Sequence, residues 1–117
     1  MTEDDLLNQI EARVLIREPS VETKLAKEYI QTAIDRIKLR LRIKAYDERL
    51  NSIVVDVALA MYRKAYHEGI KSESVDVLSV TFVDDLLAEY KEDFAAFKAL
   101  LADEGSDDAD KITVRLL

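Results

Sequence analysis

Apolar positions along this chain recur mostly at three- and four-residue spacing, the mark of helices that bury one face. Leu6, Leu7, Ile10, Val14 and Leu15 form the first stripe. Thr2 precedes it as a cap, Glu3, Asp4 and Asp5 suit the positive end of the helix dipole, and Pro19 stops it. Ser20 is the next candidate cap, with Glu22 in the first turn. Leu25, Tyr29, Ile30, Ala33, Ile34 and Ile37 then mark the buried side of a second helix. After Ile37 the pattern changes, because Ile37, Leu39, Leu41 and Ile43 alternate with Lys38, Arg40, Arg42 and Lys44. That is a strand period written in residues of good helix propensity. We read helix to about Leu41, with cations around its last turns where the dipole favours them; an extended exit is the alternative.

The third stripe is Leu50, Ile53, Val54, Val57, Ala58, Met61, Tyr62 and Ala65. Val55, Leu59 and Ala60 extend it around most of the helix, and Asp56 is the only charge between Leu50 and Arg63. A helix apolar nearly all round is either central in its domain or faces a partner subunit. On the second alternative Val55 and Leu59 are contact residues. Gly69 supplies the left-handed residue that ends this helix. Leu78, Val80 and Phe82 then share one side of a two-residue period, which predicts a short strand. Asp84 or Asp85 caps a fourth helix with Leu86, Leu87, Tyr90, Phe94, Phe97 and Leu101 on its stripe.

Asp103 to Asp110 is too acidic to pack and reads as a solvated linker. Ile112 to Leu117 regain β propensity and suit strand addition to an edge, within the subunit or on a neighbour. The expected fold is mainly α: a small bundle of about four helices, a short β element between the third and fourth, and a strand-prone C-terminal segment. The helical domain spans 1–102 and the acidic linker and tail span 103–117. There is no internal repeat.

Composition narrows the function classes. Two glycines, one proline and 35% charged residues favour long helices. The net charge of −7 disfavours general affinity for nucleic acid. Its distribution is uneven: Asp84 to Asp110 holds ten acids against Lys91 and Lys98, while Arg36 to Arg49 holds six bases against Asp47 and Glu48. Opposite poles suit head-to-tail contact between copies. The run Arg36 to Lys44 supports a rival reading, a small helical DNA-associated or regulatory module, although interleaved Leu and Ile in place of aromatics disfavour single-strand stacking. No apolar run is long enough for a membrane helix, and the acids after Met1 stand where a signal peptide carries bases, so the expected compartment is the cytoplasm.

Candidate chemistry is thin. With no cysteine there is no disulfide, thiolate site or cysteine nucleophile. His67, the single histidine, lacks the companions a metal or an acid/base set requires and reads as a helix-end residue. Gly69, Ile70, Lys71 and Ser72 contain a fragment of a phosphate loop without its earlier glycine or preceding strand. In the acidic stretch Gly105 falls too early for a calcium loop and no closing glutamate follows it. Ser72 and Ser74 have no activating base at a foreseeable place. Neither an enzyme, a cofactor nor a metal is expected.

One stretch carries more. Tyr62, Arg63, His67, Glu68, Gly69, Ile70, Lys71, Ser72, Glu73, Ser74 and Val75, followed by Leu78, Ser79, Val80, Thr81 and Phe82, resemble the signature of the head-tail connector (adaptor) proteins of tailed phages and prophages. The resemblance extends upstream through Ile53 to Ala58 and downstream through Asp85, Leu86, Leu87 and Tyr90. The chain departs from the family pattern at Asp76 or Val77, where a glycine is frequent, and at Ala45 to Glu48, where a proline-bearing loop is usual. The resemblance implies a non-enzymatic virion-neck protein that works in the host bacterial cytoplasm during assembly. It implies a ring of about 12 copies docked on the portal, joined to the stopper or tail-completion protein, with DNA passing through the lumen without sequence-specific binding. On this reading the contacts fall on Glu68, Gly69, Lys71, Ser72, Glu73, Ser74 and Val75 in the turn, on Val55 and Leu59, and on Ile112, Val114 and Leu116 in the tail.

Overall fold

The computed structural model describes residues 2–68 and 81–113, for 67–68 and 105–113 the backbone alone. Helix α1 runs Glu3–Arg17 and α2 Thr23–Leu41; a single 3-10 turn, Glu48–Leu50, leads into α3, Asn51–Glu68. Residues 81–88 form α4, and α5 runs Lys91–Thr113. Helices α1, α2 and α3 pack pairwise against one another.

Local chemistry explains most of the boundaries. Thr2 Oγ1 accepts from the Asp5 amide at 3.2 Å, and the Thr2 amide donates to Asp5 Oδ2 at 3.0 Å, a reciprocal capping box that satisfies two otherwise orphaned donors. Helix α1 stops at Glu18, whose amide still reaches Val14 O, because Pro19 has no amide to continue the ladder. Ser20 does not cap α2 as expected. The cap position is Glu22, without a side-chain bond, and the Ser20 hydroxyl lies 3.4 Å from the Tyr62 hydroxyl on α3.

Helix α2 reaches Leu41, which settles the alternation in favour of helix. Ile37 and Leu41 are buried one turn apart while Leu39, between them, is 66% exposed. The strand-like pattern therefore places one apolar residue in water. The helix ends with Arg42 in the left-handed region at φ 59°, and the Ile43 amide closes on Lys38 O at 3.1 Å. Tyr46 then folds into the core and donates to Asn51 Oδ1 at 2.6 Å, which anchors the loop before α3. Asp47 Oδ1 caps the 3-10 turn by accepting from the Arg49 amide.

Helix α3 is the centre of the molecule. Val54, Val55, Val57, Ala58, Leu59 and Met61 are all buried, in one cluster with residues of every other helix. One side meets α1 and α2; on another, Lys64 Nζ sits 5.0 Å from the Phe82 ring centroid and Asp56 bonds the Tyr90 phenol. Val83 and Leu87 of α4 and Phe94 and Phe97 of α5 complete the core.

The second half departs from expectation in three ways. The single fourth helix is two, α4 and α5, separated at Glu89 and Tyr90, whose amides bond back to Leu86 O and Leu87 O at 3.0 Å. The stripe crosses this break without losing phase, so periodicity could not reveal it. No strand occurs among the described residues: Thr81 and Phe82 are helical, and the rest of the expected β element, 69–80, lies outside them. Finally, the backbone of 103–113 is helical, not a linker followed by a strand, and Ile112 belongs to α5; Val114 and Leu116 lie outside the described residues. A helix already nucleated by packing at Phe94 and Phe97 adds a hydrogen bond for each further residue, which overrides the β propensity of Ile112 and Thr113 and the cost of Gly105.

Candidate functional site

The expected contact residues divide sharply. Val55 and Leu59 are 0% and 1% exposed, so they belong to the chain's own interior and present no face to a partner. The pairwise packing of α1, α2 and α3 places both in the one core cluster, which α4 and α5 complete. Glu68 ends the α3 backbone. Gly69, Lys71, Ser72, Glu73, Ser74 and Val75 lie outside the described residues.

Surface features near the end of α3 carry no signal in the periodicity. Tyr62 and Tyr66, one turn apart, stack with ring centroids 5.9 Å apart, and Tyr66 is 71% exposed. With Glu18, Ser20 and Arg63 they line a cleft of about 500 Å³. Arg63 Nε lies 3.6 Å from Glu18 Oε1, a loose ion pair that ties this rim to the end of α1. Ile16, Leu39 and Leu100 are further exposed apolar side chains. A second tyrosine at an i, i+4 step from Tyr62 was the available clue, but Tyr62 itself sits on a stripe that reads as core.

Cations in the basic run are partly spent within the molecule. Arg36 grips Asp84 with two bonds of 3.0 and 2.8 Å and pins α4 to α2. Lys38 pairs with Glu3 at 2.7 Å, and Arg17 with Asp56 at 2.8 Å. Arg49 is a three-way tie: it holds Asp47 at 2.7 Å, reaches Glu104 on α5 at 2.6 Å, and lies 5.4 Å from the Phe97 ring centroid. Hydrogen bonds from Arg49 hold the carboxyls of Asp47 and Glu104 below the usual range. Arg40, Arg42 and Lys44 remain exposed and form no ion pair among the described residues.

No group of three or more His, Asp or Glu able to hold a metal occurs among the described residues. Burial, with the Asp47 carboxylate adding, raises the Tyr46 phenol far above its ordinary value, but its hydroxyl is engaged with Asn51 and is structural. Among the described residues no helix is long and apolar enough to cross a membrane.

Comparison with curated proteins and with solved structures returned no match. Comparison with protein families matched the phage gp6-like head-tail connector proteins over residues 17–98, from the end of α1 through α2, α3 and α4 to the first turns of α5. The match therefore spans most of the helices that build the core, and the chain belongs to the phage gp6-like head-tail connector family.

Proposed function

We propose that this protein is a structural, non-enzymatic component of the phage or prophage neck, which docks on the portal as a ring and joins the filled capsid to the stopper or tail. The supporting observation is the family match over residues 17–98. A ring of about 12 copies lets DNA pass along its axis, and a net charge of −7 per copy favours sliding over binding. The segment Glu68 to Val75 and the residues beyond Thr113 are the proposed contacts with neighbours, portal and stopper. The exposed Tyr66, in the last turns of α3 before that segment, suits the same role.

The test is to mix the protein with portal-bearing capsids that lack it and image them by electron microscopy. Added density at the portal vertex is the expected outcome; its absence with correctly folded protein refutes the proposal. A Gly69→Val variant should keep its helix content and fail to decorate capsids, since a β-branched residue resists the left-handed conformation that the sequence pattern predicts for the residue ending α3. The DNA-module reading is disfavoured because Arg36 and Lys38 are already paired with Asp84 and Glu3. Tight duplex binding with a steep salt dependence at physiological ionic strength would restore it.

A further inference from the structure

Charge around the C-terminus of α2 is one-sided. Arg40 from α2 and Lys91 and Lys98 from α5 line a groove of about 260 Å³ together with Leu41, Phe94 and Ala95, and no carboxylate lines it. Lys98 Nζ donates to Leu41 O at 2.8 Å, so that cation is fixed at the negative end of the α2 dipole. Arg40 and Lys91 make no ion pair among the described residues, and exposed Arg42 and Lys44 extend the positive surface beyond the same helix end. In a chain with seven more acids than bases, cations facing one another across a groove without a counter-charge leave repulsion that an added anion relieves.

The chain carries such an anion, but where its own groove cannot use it. Asp103, Glu104, Asp107, Asp108 and Asp110 follow on α5 itself, and Glu104 is turned toward Arg49. Helix α5 is continuous from Lys91 to Thr113. At about 1.5 Å per residue, Asp107 lies roughly 14 Å further along the axis than Lys98 and roughly 24 Å beyond Lys91. A straight helix cannot fold its second half onto its first. The complementary charges can meet only between copies.

We propose that the groove between the end of α2 and the first turns of α5 receives the acidic second half of α5 from an adjacent copy. This contact rests on the ring reading above and names the surfaces that build it. It is heterologous, each copy offering one groove and one acidic helix, which is the arrangement that propagates around a ring. Duplex DNA is the weaker occupant, because it approaches a molecule of net −7 against long-range repulsion, whereas every copy brings its own acidic helix.

The absence of native cysteine permits a direct test. A full-length Ala95→Cys, Ala109→Cys variant carries one thiol at the exposed groove position and one in the acidic segment, too far apart along α5 to join within a chain. Assembled on portal-bearing capsids and mildly oxidised, it should give a ladder of covalent multimers. Adding Arg40→Glu and Lys91→Glu, both at exposed positions, should reduce the ladder roughly tenfold with unchanged circular dichroism, and Asp107→Lys with Asp108→Lys should restore it. Capsid decoration by the wild type with monomers alone from the cysteine variant overturns the contact and leaves the ring reading standing. Failure of the wild type to decorate capsids overturns both. Duplex DNA retained by the wild type and released by Lys91→Glu would make the groove a phosphate site and overturn the contact.

Discussion

Replacing Leu59 with alanine separates an interior α3 from one that faces a partner subunit. The side chain is 1% exposed and shares a cluster with Val83, Leu87 and Phe94 of the α4–α5 hairpin. Truncation removes three buried carbons and leaves a cavity that close-packed neighbours fill only in part, which costs about 3 to 5 kcal/mol. A domain of this size has about 5 to 15 kcal/mol of stability in all, so the loss is a large fraction of it. At roughly 4 °C per kcal/mol, the melting temperature should fall by about 12 to 20 °C. The assay is thermal and urea unfolding followed by circular dichroism, at dilutions where the protein is monomeric. The urea midpoint should drop with the slope unchanged, the sign of lost stability without a change in the surface exposed on unfolding. If Leu59 faced a partner instead, the monomer would melt within a degree or two of the wild type and only assembly would suffer. That result would refute the interior placement.

Further measurements probe other joints. A double-mutant cycle on Arg36→Ala and Asp84→Ala should give a coupling of about 0.5 to 1 kcal/mol, kept small because the two side chains are 30% and 41% exposed, and a value near zero would remove this tie between α2 and α4. Thr2 bonds hold the Asp5 carboxyl below its ordinary value of 3.8, so the stabilisation is present above that pH and is lost as pH falls through the lower folded value. An NMR titration should show the Asp5 value rising only part of the way back in Thr2→Ala, because the backbone amide at position 2, the larger cause, is kept. Tyr46 has its phenol raised, so its contribution is intact below the ordinary value of 10.0 and lost as pH rises above it. In an ultraviolet titration Tyr46→Phe should remove one late-ionising phenol, and it should cost about 1 kcal/mol at neutral pH by leaving Asn51 Oδ1 without its donor. Arg49→Ala should speed hydrogen exchange in α5 between Lys98 and Glu104, because it releases Glu104 and uncovers Phe97.

Much of the molecule was legible without coordinates, because helix periodicity and end chemistry are local. The stripe Leu6, Ile10, Val14, the Thr2 cap, the stop before Pro19 and the helical run to Leu41 depend on neighbours a few residues away, and they recur in the structure. The family was legible too, and its matched segment includes the residues that resemble it between Ile53 and Tyr90. Ser20 shows the limit: it is a sound local cap that the fold instead sets beside Tyr62 on another helix.

What covers the apolar α3 was a tertiary question. A helix apolar on most sides has the same sequence whether a neighbouring subunit or the chain's own helices bury it. Only the packing of α1 and α2 against α3, within one cluster that also takes in Val83, Leu87 and Phe94, decides for the interior and so removes Val55 and Leu59 from the surface. The same holds for charge. The sequence contains a basic run and an acidic run, but which cations are paired, and that Arg40, Lys91 and Lys98 share one groove, depends on residues some fifty positions apart meeting at the end of α2. Local periodicity determines which residues a helix buries, and long-range packing determines what buries them.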